Sequence, residues 1–174
     1  MPTWIVRALI VPLCYAALFG TATSSLAAES SSSTTSKAAR REAMRAIPFQ
    51  KISPAYRKKV QHVLNNASLY RRLPTMTVDC HPPMFTHMVQ NPDTLVQIWE
   101  QLGISNVELV KTADNQFRLA DNVGTVGKLV IVEQNCDPQA QNRVVMYAEG
   151  HYEGKPFKKP VRAQCVMILR SGSM

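Results

Sequence analysis

The side chains best suited to chemistry lie on one alternating run near the end of the sequence. Along 143–152, Val144, Met146, Ala148, Gly150 and Tyr152 fall on one face of a strand, and Val145, Tyr147, Glu149 and His151 on the other. The first set is apolar enough to be core, whereas the second mixes apolar and ionisable groups. Arg162 and Gln164, in the next alternating run, are expected to share that second face. Imidazole exchanges a proton near neutral pH and a neighbouring carboxylate can steer it, so Glu149 and His151 would form an acid–base couple with Arg162 holding an anionic group. Tyr147 and Gln164 complete a set of ligand-facing candidates. The residue types favour a plainer arrangement, a solvated sheet face with a cross-strand ion pair.

The other reactive residues give weaker patterns. Cys80, Cys136 and Cys165 remain once an N-terminal leader carrying Cys14 is set aside, and in an oxidising compartment three cysteines imply one disulfide and one free thiol, in any of three pairings. A metal set drawn from Asp79, Cys80, His81 and His87, with Cys136 or His151, lacks the paired CxxC or HExxH spacing that fixes ligands on one face, so no metal and no cofactor is expected. A thiol nucleophile at Cys80 or Cys136 with His151 as base has no local signature either. The stretch 122–128 (NVGTVGK) looks superficially like a phosphate loop but has the wrong glycine spacing and sits between two strands. Asn66-Ala67-Ser68 matches a glycan acceptor triplet, a match short enough to arise by chance.

The elements that must position these residues follow from periodicity. Ser53-Pro54 opens a helix whose apolar face is Tyr56, Val60, Val63, Leu64 and Ala67. The alternation over 73–80 predicts a strand, and a short helix is expected over 84–90. Asn91-Pro92-Asp93 opens another helix with the stripe Leu95, Ile98, Trp99 and Leu102, ended by Gly103. From there the period is two: strands over 107–111, 116–120, 125–134, 143–152 and 161–170, separated by turn residues, with a loop over 135–142. Short connections between consecutive strands imply an antiparallel meander. The expected fold class is therefore α+β, a sheet of five to six strands with two or three N-terminal helices packed on one face.

The remaining chain is organised by composition. Residues 1–28 carry Arg7, an apolar run over 8–19 and small residues before Ala27 and Ala28, the pattern of a signal peptide cleaved near Ala27/Ala28. That implies a secreted or periplasmic protein. Ser and Thr fill 11 of the 16 positions from 21 to 36, too little apolar surface to offset the entropy of ordering, so 29–52 is expected to be a disordered linker, Ser/Thr-rich and then basic. The folded domain is expected over 53–170 and a tail over 171–174.

The chain's net charge of +8 is unevenly placed: residues 37–72 carry +9 and residues 73–174 carry −1. Arg40, Arg41, Arg45, Lys51, Arg57, Lys58 and Lys59 form a basic arm suited to an anionic envelope polymer or membrane surface. Nucleic acid is disfavoured, because the arm lacks aromatics interleaved for base stacking.

From residue 73 to 170, a strand, two short helices and a meander follow one another in the order of helix-grip domains, the START and polyketide-cyclase type. The chain resembles them in element order and in no ligand-contact motif. The resemblance implies a curved sheet enclosing an apolar ligand, with a helix across its face; here the helix over 54–67 would take the place of that family's C-terminal helix. The leading expectation is an exported, non-enzymatic domain binding a small apolar ligand or a cell-envelope component. The alternatives are a hydrolase or isomerase using Glu149, His151 and Arg162, and a structural or interaction protein docked by its basic arm.

Overall fold

The computed structural model describes residues 33–136 and 141–172. The leader and cleavage site expected near Ala27/Ala28 lie outside the described residues, as do most of the Ser/Thr-rich run and the end of the tail.

The segment expected as a disordered linker is ordered from residue 33 onward. Thr34 bridges Arg72 through paired backbone bonds of 2.9 and 3.1 Å. The Ser36 hydroxyl then accepts the Ala39 N–H, capping α1 (Lys37–Arg45), and Ala39 is buried. A 3-10 turn at Phe49–Lys51 leads into α2 (Pro54–Asn66), which starts at the expected Ser53-Pro54 step. Ser53 makes no side-chain cap, contrary to the usual role of that residue. Its backbone N–H donates instead to the Val132 carbonyl at 3.2 Å, fastening the helix start to the sheet. The reason this region orders is burial. Ile47 and Ile52 are 4 % and 1 % exposed and pack with Val60, Val63, Val130, Val132, Val145 and Tyr147 in one core cluster. Two apolar residues in a basic, Ser-rich stretch are enough when a complementary sheet face waits for them.

Two further helices, α3 (Pro82–Gln90) and α4 (Pro92–Gln101), precede the strands. Asn91 divides them: its side chain donates back to the His87 carbonyl at 2.9 Å, closing α3, rather than capping α4. Gly103 follows α4 at φ 67, the left-handed conformation that glycine adopts without a Cβ penalty. The strands are β1 (Val107–Ala113), β2 (Gln116–Asp121), β3 (Thr125–Asn135), β4 (Asn142–Tyr152) and β5 (Val161–Ser171). They pair antiparallel in the order β1-β2-β3-β4-β5, the meander expected from the short turns.

The helices divide between the two faces of this sheet instead of sharing one. Leu109, Phe117, Leu129, Ile131 and Val144 form a second cluster, with Val89 of α3 and Val96 of α4 packed against it. Strand alternation makes Val144 and Val145 point to opposite faces, so α2 and the stretch bearing Ile47 and Ile52 cover the Val145 side, and α3 and α4 the Val144 side. That division also corrects the strand expected over 73–80. The chain between α2 and α3 must pass around the sheet from one face to the other. It does so without strand pairing, and Met76 and Val78 remain 78 % and 61 % exposed. Alternation alone makes no strand where no partner runs alongside.

Between residues 131 and 133 the β3–β4 register shifts, setting Glu133 opposite Val145. Glu133 thereby joins the face of Arg143, and the two form a bidentate pair at 2.9 and 3.1 Å, with the Glu133 side chain only 3 % exposed. The Arg143 charge is held further up by this carboxylate.

Candidate binding surface

The β3–β4–β5 register lays the sequence-derived candidates on one face. Lys128, Glu149 and Gln164 align across three strands, as do Val126, His151 and Arg162. All are on the side of Tyr147, where α2 packs through Val60 and Val63. There Val126, Lys128, Glu149, His151, Arg162 and Gln164 line a depression of about 680 Å³. Its floor is drawn tight by Gly127 and Gly150, which face each other across the ladder: a Cβ on Gly150 would lie 2.6 Å from the Val126 carbonyl oxygen. Only glycine allows strands to approach this closely.

The polar groups of the depression do not make the expected acid–base couple. Glu149 accepts from Lys59 Nζ of α2 at 2.9 and 3.1 Å, and its Oε2 also accepts the Tyr147 hydroxyl at 2.8 Å. The Lys59 hydrogen bond, supported by Tyr147, holds the Glu149 carboxyl below its ordinary range despite partial desolvation. Tyr147 itself is 1 % exposed, and burial, reinforced by its bond to Glu149, keeps its phenol protonated far above neutrality. Lys59 also lies 5.6 Å above the Tyr147 ring and 5.8 Å above that of Tyr56. Glu149 is thus a strut between α2 and β4. His151 approaches Glu153 instead, at 3.7 Å from Nε2 to Oε1. Arg162 stands exposed opposite His151 with its guanidinium turned to no carboxylate among the described ion pairs.

Other candidates are dispersed. In the basic arm, Arg40 donates to the Leu64 carbonyl at 2.9 Å, and Arg57 donates to the Gln50 and Ile52 carbonyls, so these two cations hold the N-terminal helices together. With Lys59 bound to Glu149, the arm's exposed cations are Arg41, Arg45, Lys51 and Lys58. Cys80 lies before α3, Cys136 packs against the second core cluster, and Cys165 sits exposed on β5. In the structure all three are free cysteines, none paired with another. Asp79, Cys80 and His81 lie in and beside the crossing segment, and His87 is on α3, near Asn91. Among the described residues no group of three or more His, Cys, Asp or Glu side chains is arranged to hold a metal.

Two features escaped the reading of types and spacing. One is Lys128, whose place beside Glu149 follows only from the β3–β4 register. The other is the charge of the β4–β5 connection: Lys155, Lys158 and Lys159 precede Arg162 against the single acid Glu153. That cluster is visible in the sequence, but averaging over 73–174 conceals it. The connection is itself structured, with the Tyr152 hydroxyl donating to the Lys155 carbonyl at 2.9 Å and Phe157 edge-on to Tyr152 at 6.1 Å.

Comparison with protein-family models, curated proteins and solved structures returns no match. Function therefore has to be argued from the surface alone.

Proposed function

We propose that the protein is an exported, non-enzymatic binding domain whose ligand is an anionic cell-envelope component seated at the far end of the β4–β5 hairpin. The observation that carries this reading is the depression lined by Lys128, His151, Arg162 and Gln164, beside a connection bearing three lysines. Cations converging on a concave wall, with amide and imidazole donors between them, suit carboxylate or phosphate groups. Export rests on the leader pattern of residues 1–28.

Two observations favour this over the other expectations. The face under α2 is filled by Ile52, Val60, Val63 and Tyr147, each at most 8 % exposed, which takes the space a sheet-enclosed apolar ligand would need. A hydrolase or isomerase would use Glu149 as acid or base, and that carboxylate is already engaged by Lys59 and Tyr147. The exposed cations of α1 and α2 would add attraction at longer range, screened by salt over about 8 Å at physiological ionic strength.

The test is a titration of isotopically labelled protein with polygalacturonate and, separately, with polyphosphate, followed by amide chemical shifts. Shifts concentrated at 126–128, 149–151 and 155–164, and reduced at least fivefold by R162Q, are the expected result. Shifts confined to 37–59 would move the function to the N-terminal helices. No shifts with either polymer at low salt would overturn the proposal.

A further inference from the structure

The sheet ends on β5, whose outer backbone edge has no strand beside it among the described residues. β5 is 11 residues long, and on the Val144 face it carries Val161, Ala163, Cys165, Met167 and Leu169, all exposed. Helices α3 and α4 leave these five side chains exposed, and the partly buried residues packed against that cluster include Met146 and Ala148 of β4 but none of β5. Long apolar edges of this kind recruit another strand, and folded proteins commonly guard them with prolines, bulges or inward-pointing charges. The β5 edge has no proline and no register shift against β4. Its only charges are Arg162 and Arg170, near the two ends.

We infer that β5 pairs antiparallel with β5 of a second copy, joining two sheets into one of ten strands about a twofold axis beside Cys165. The occupant follows from the strand's own pattern. A twofold axis normal to the sheet pairs one residue with itself, and three centres give the longest overlap. Centring on Val166 sets Arg162 opposite Arg170 twice, a repulsive pairing. Centring on Met167 leaves Val161 and Arg162 beyond the end of the partner strand. Centring on Cys165 sets Val161 against Leu169 and Ala163 against Met167, large beside small, and brings no like charges opposite. The exposed apolar stripe of each copy is then extended by that of the other, and each edge gains the ladder bonds it lacks. Arg162 falls opposite Ile168 of the second copy on the other face, and the lysine-bearing connections lie at opposite ends of the dimer. The inference is independent of the ligand proposed above, since it concerns the edge and not the depression.

Cys165 serves as the reporter. Directly opposed residues of an antiparallel pair have Cα atoms about 4.5 or 5.5 Å apart. Both separations fall within the range of roughly 4.4–6.8 Å that a disulfide spans. Brief treatment with oxygen and copper–phenanthroline takes two electrons and two protons from the two thiols to form one bond. The expected result is a covalent dimer on non-reducing gels for the full chain, for C80S and for C136S, and none for C165S. C165S itself is expected to remain a dimer by sedimentation. In C165S/M167K a lysine meets the second copy's Ala163 within the apolar stripe, and association at least tenfold weaker is expected, with an unchanged circular dichroism spectrum. A monomer at 100 μM, or about that concentration, in sedimentation equilibrium would overturn the inference. A stable dimer that cross-links in C165S/M167C but not through Cys165 would overturn the register and with it the argument from complementarity.

Discussion

Glu149 behaves as its two partners, Lys59 and Tyr147, dictate. Lys59 stabilises its ionised form and Tyr147 donates to it, so its pKa in the folded protein lies below the unfolded value. A depressed carboxylate contributes stability that is fully present above the unfolded pKa, about 4.3 for Glu, and is lost as pH falls through the folded pKa. Lys59 is 47 % exposed, and a pair this open to solvent is worth about 1 kcal/mol or less. E149Q keeps an acceptor for the Tyr147 hydroxyl and should cost no more than that at pH 7, with a flatter decline in urea stability between pH 5 and pH 3. E149L leaves the buried hydroxyl without its acceptor and should cost about 1–3 kcal/mol. Equal losses for the two variants would mean that Tyr147 does not depend on Glu149.

The Glu133–Arg143 pair is the opposite case, since its carboxylate is almost wholly buried. R143A removes the partner of a desolvated charge, and a loss of about 3–5 kcal/mol in urea unfolding is expected. The double variant E133L/R143M removes both charges and should recover most of that loss. Neither residue announces itself in the sequence: the pairing depends on the register shift after Ile131, which no local pattern encodes.

At the scale of elements, most of the secondary structure was legible and its pairing partly so. The five strands and their turns follow from period-two runs broken by Asp114-Asn115, Asn122-Val123-Gly124 and the Gly154-Pro156 stretch. Asn115 adopts φ 58, and Asp121 accepts the Val123 and Thr125 amides with its carboxylate, so the turn chemistry agrees with the hydrophobic pattern. The bonds from Thr125 and its neighbours hold the Asp121 carboxyl below its ordinary range. Two elements depart from their local pattern for contrasting reasons. Helix α1 lacks an apolar stripe, and it forms because Ser36 caps it and because Ile47 and Ile52 anchor the chain just beyond it. The segment 73–80 has the alternation but pairs with no strand among the described residues. Trypsin should therefore cut first in or beside the crossing segment, at Arg71, while the Thr34-bonded and Glu42-paired Arg72 is spared. First cleavage at Arg41 or Arg45 would show that α1 is the weaker element.

For the whole molecule, the helices on the two faces do different work. Those covering the Val145 face come from the chain's basic N-terminal third, so that region belongs to the folded body rather than to a tether. A chain beginning at Ser53 would lose Ile47 and Ile52, two nearly fully buried isoleucines at about 1.5–3 kcal/mol each. Against a typical domain stability of about 5–15 kcal/mol, that loss should lower the melting midpoint markedly or abolish the cooperative transition. An unchanged midpoint would return residues 33–52 to the role of linker. No helix among the described residues is long and apolar enough to cross a membrane.

The sequence by itself determined the α+β class, the order of the strands, the starts of α2 and α4, and the shared face of Tyr147, Glu149, His151, Arg162 and Gln164. These depend on periodicity and on turn residues within a few positions of one another, where chain geometry leaves little choice. Only the tertiary structure decided that α1 folds, that the helices split between two faces, that Lys59 rather than His151 takes Glu149, and that β5 has no strand on its outer edge among the described residues. Each of those outcomes depends on which surfaces remain uncovered once the sheet is assembled. Burial rewards contacts between residues distant in sequence, such as Lys59 and Glu149, and no local spacing specifies them.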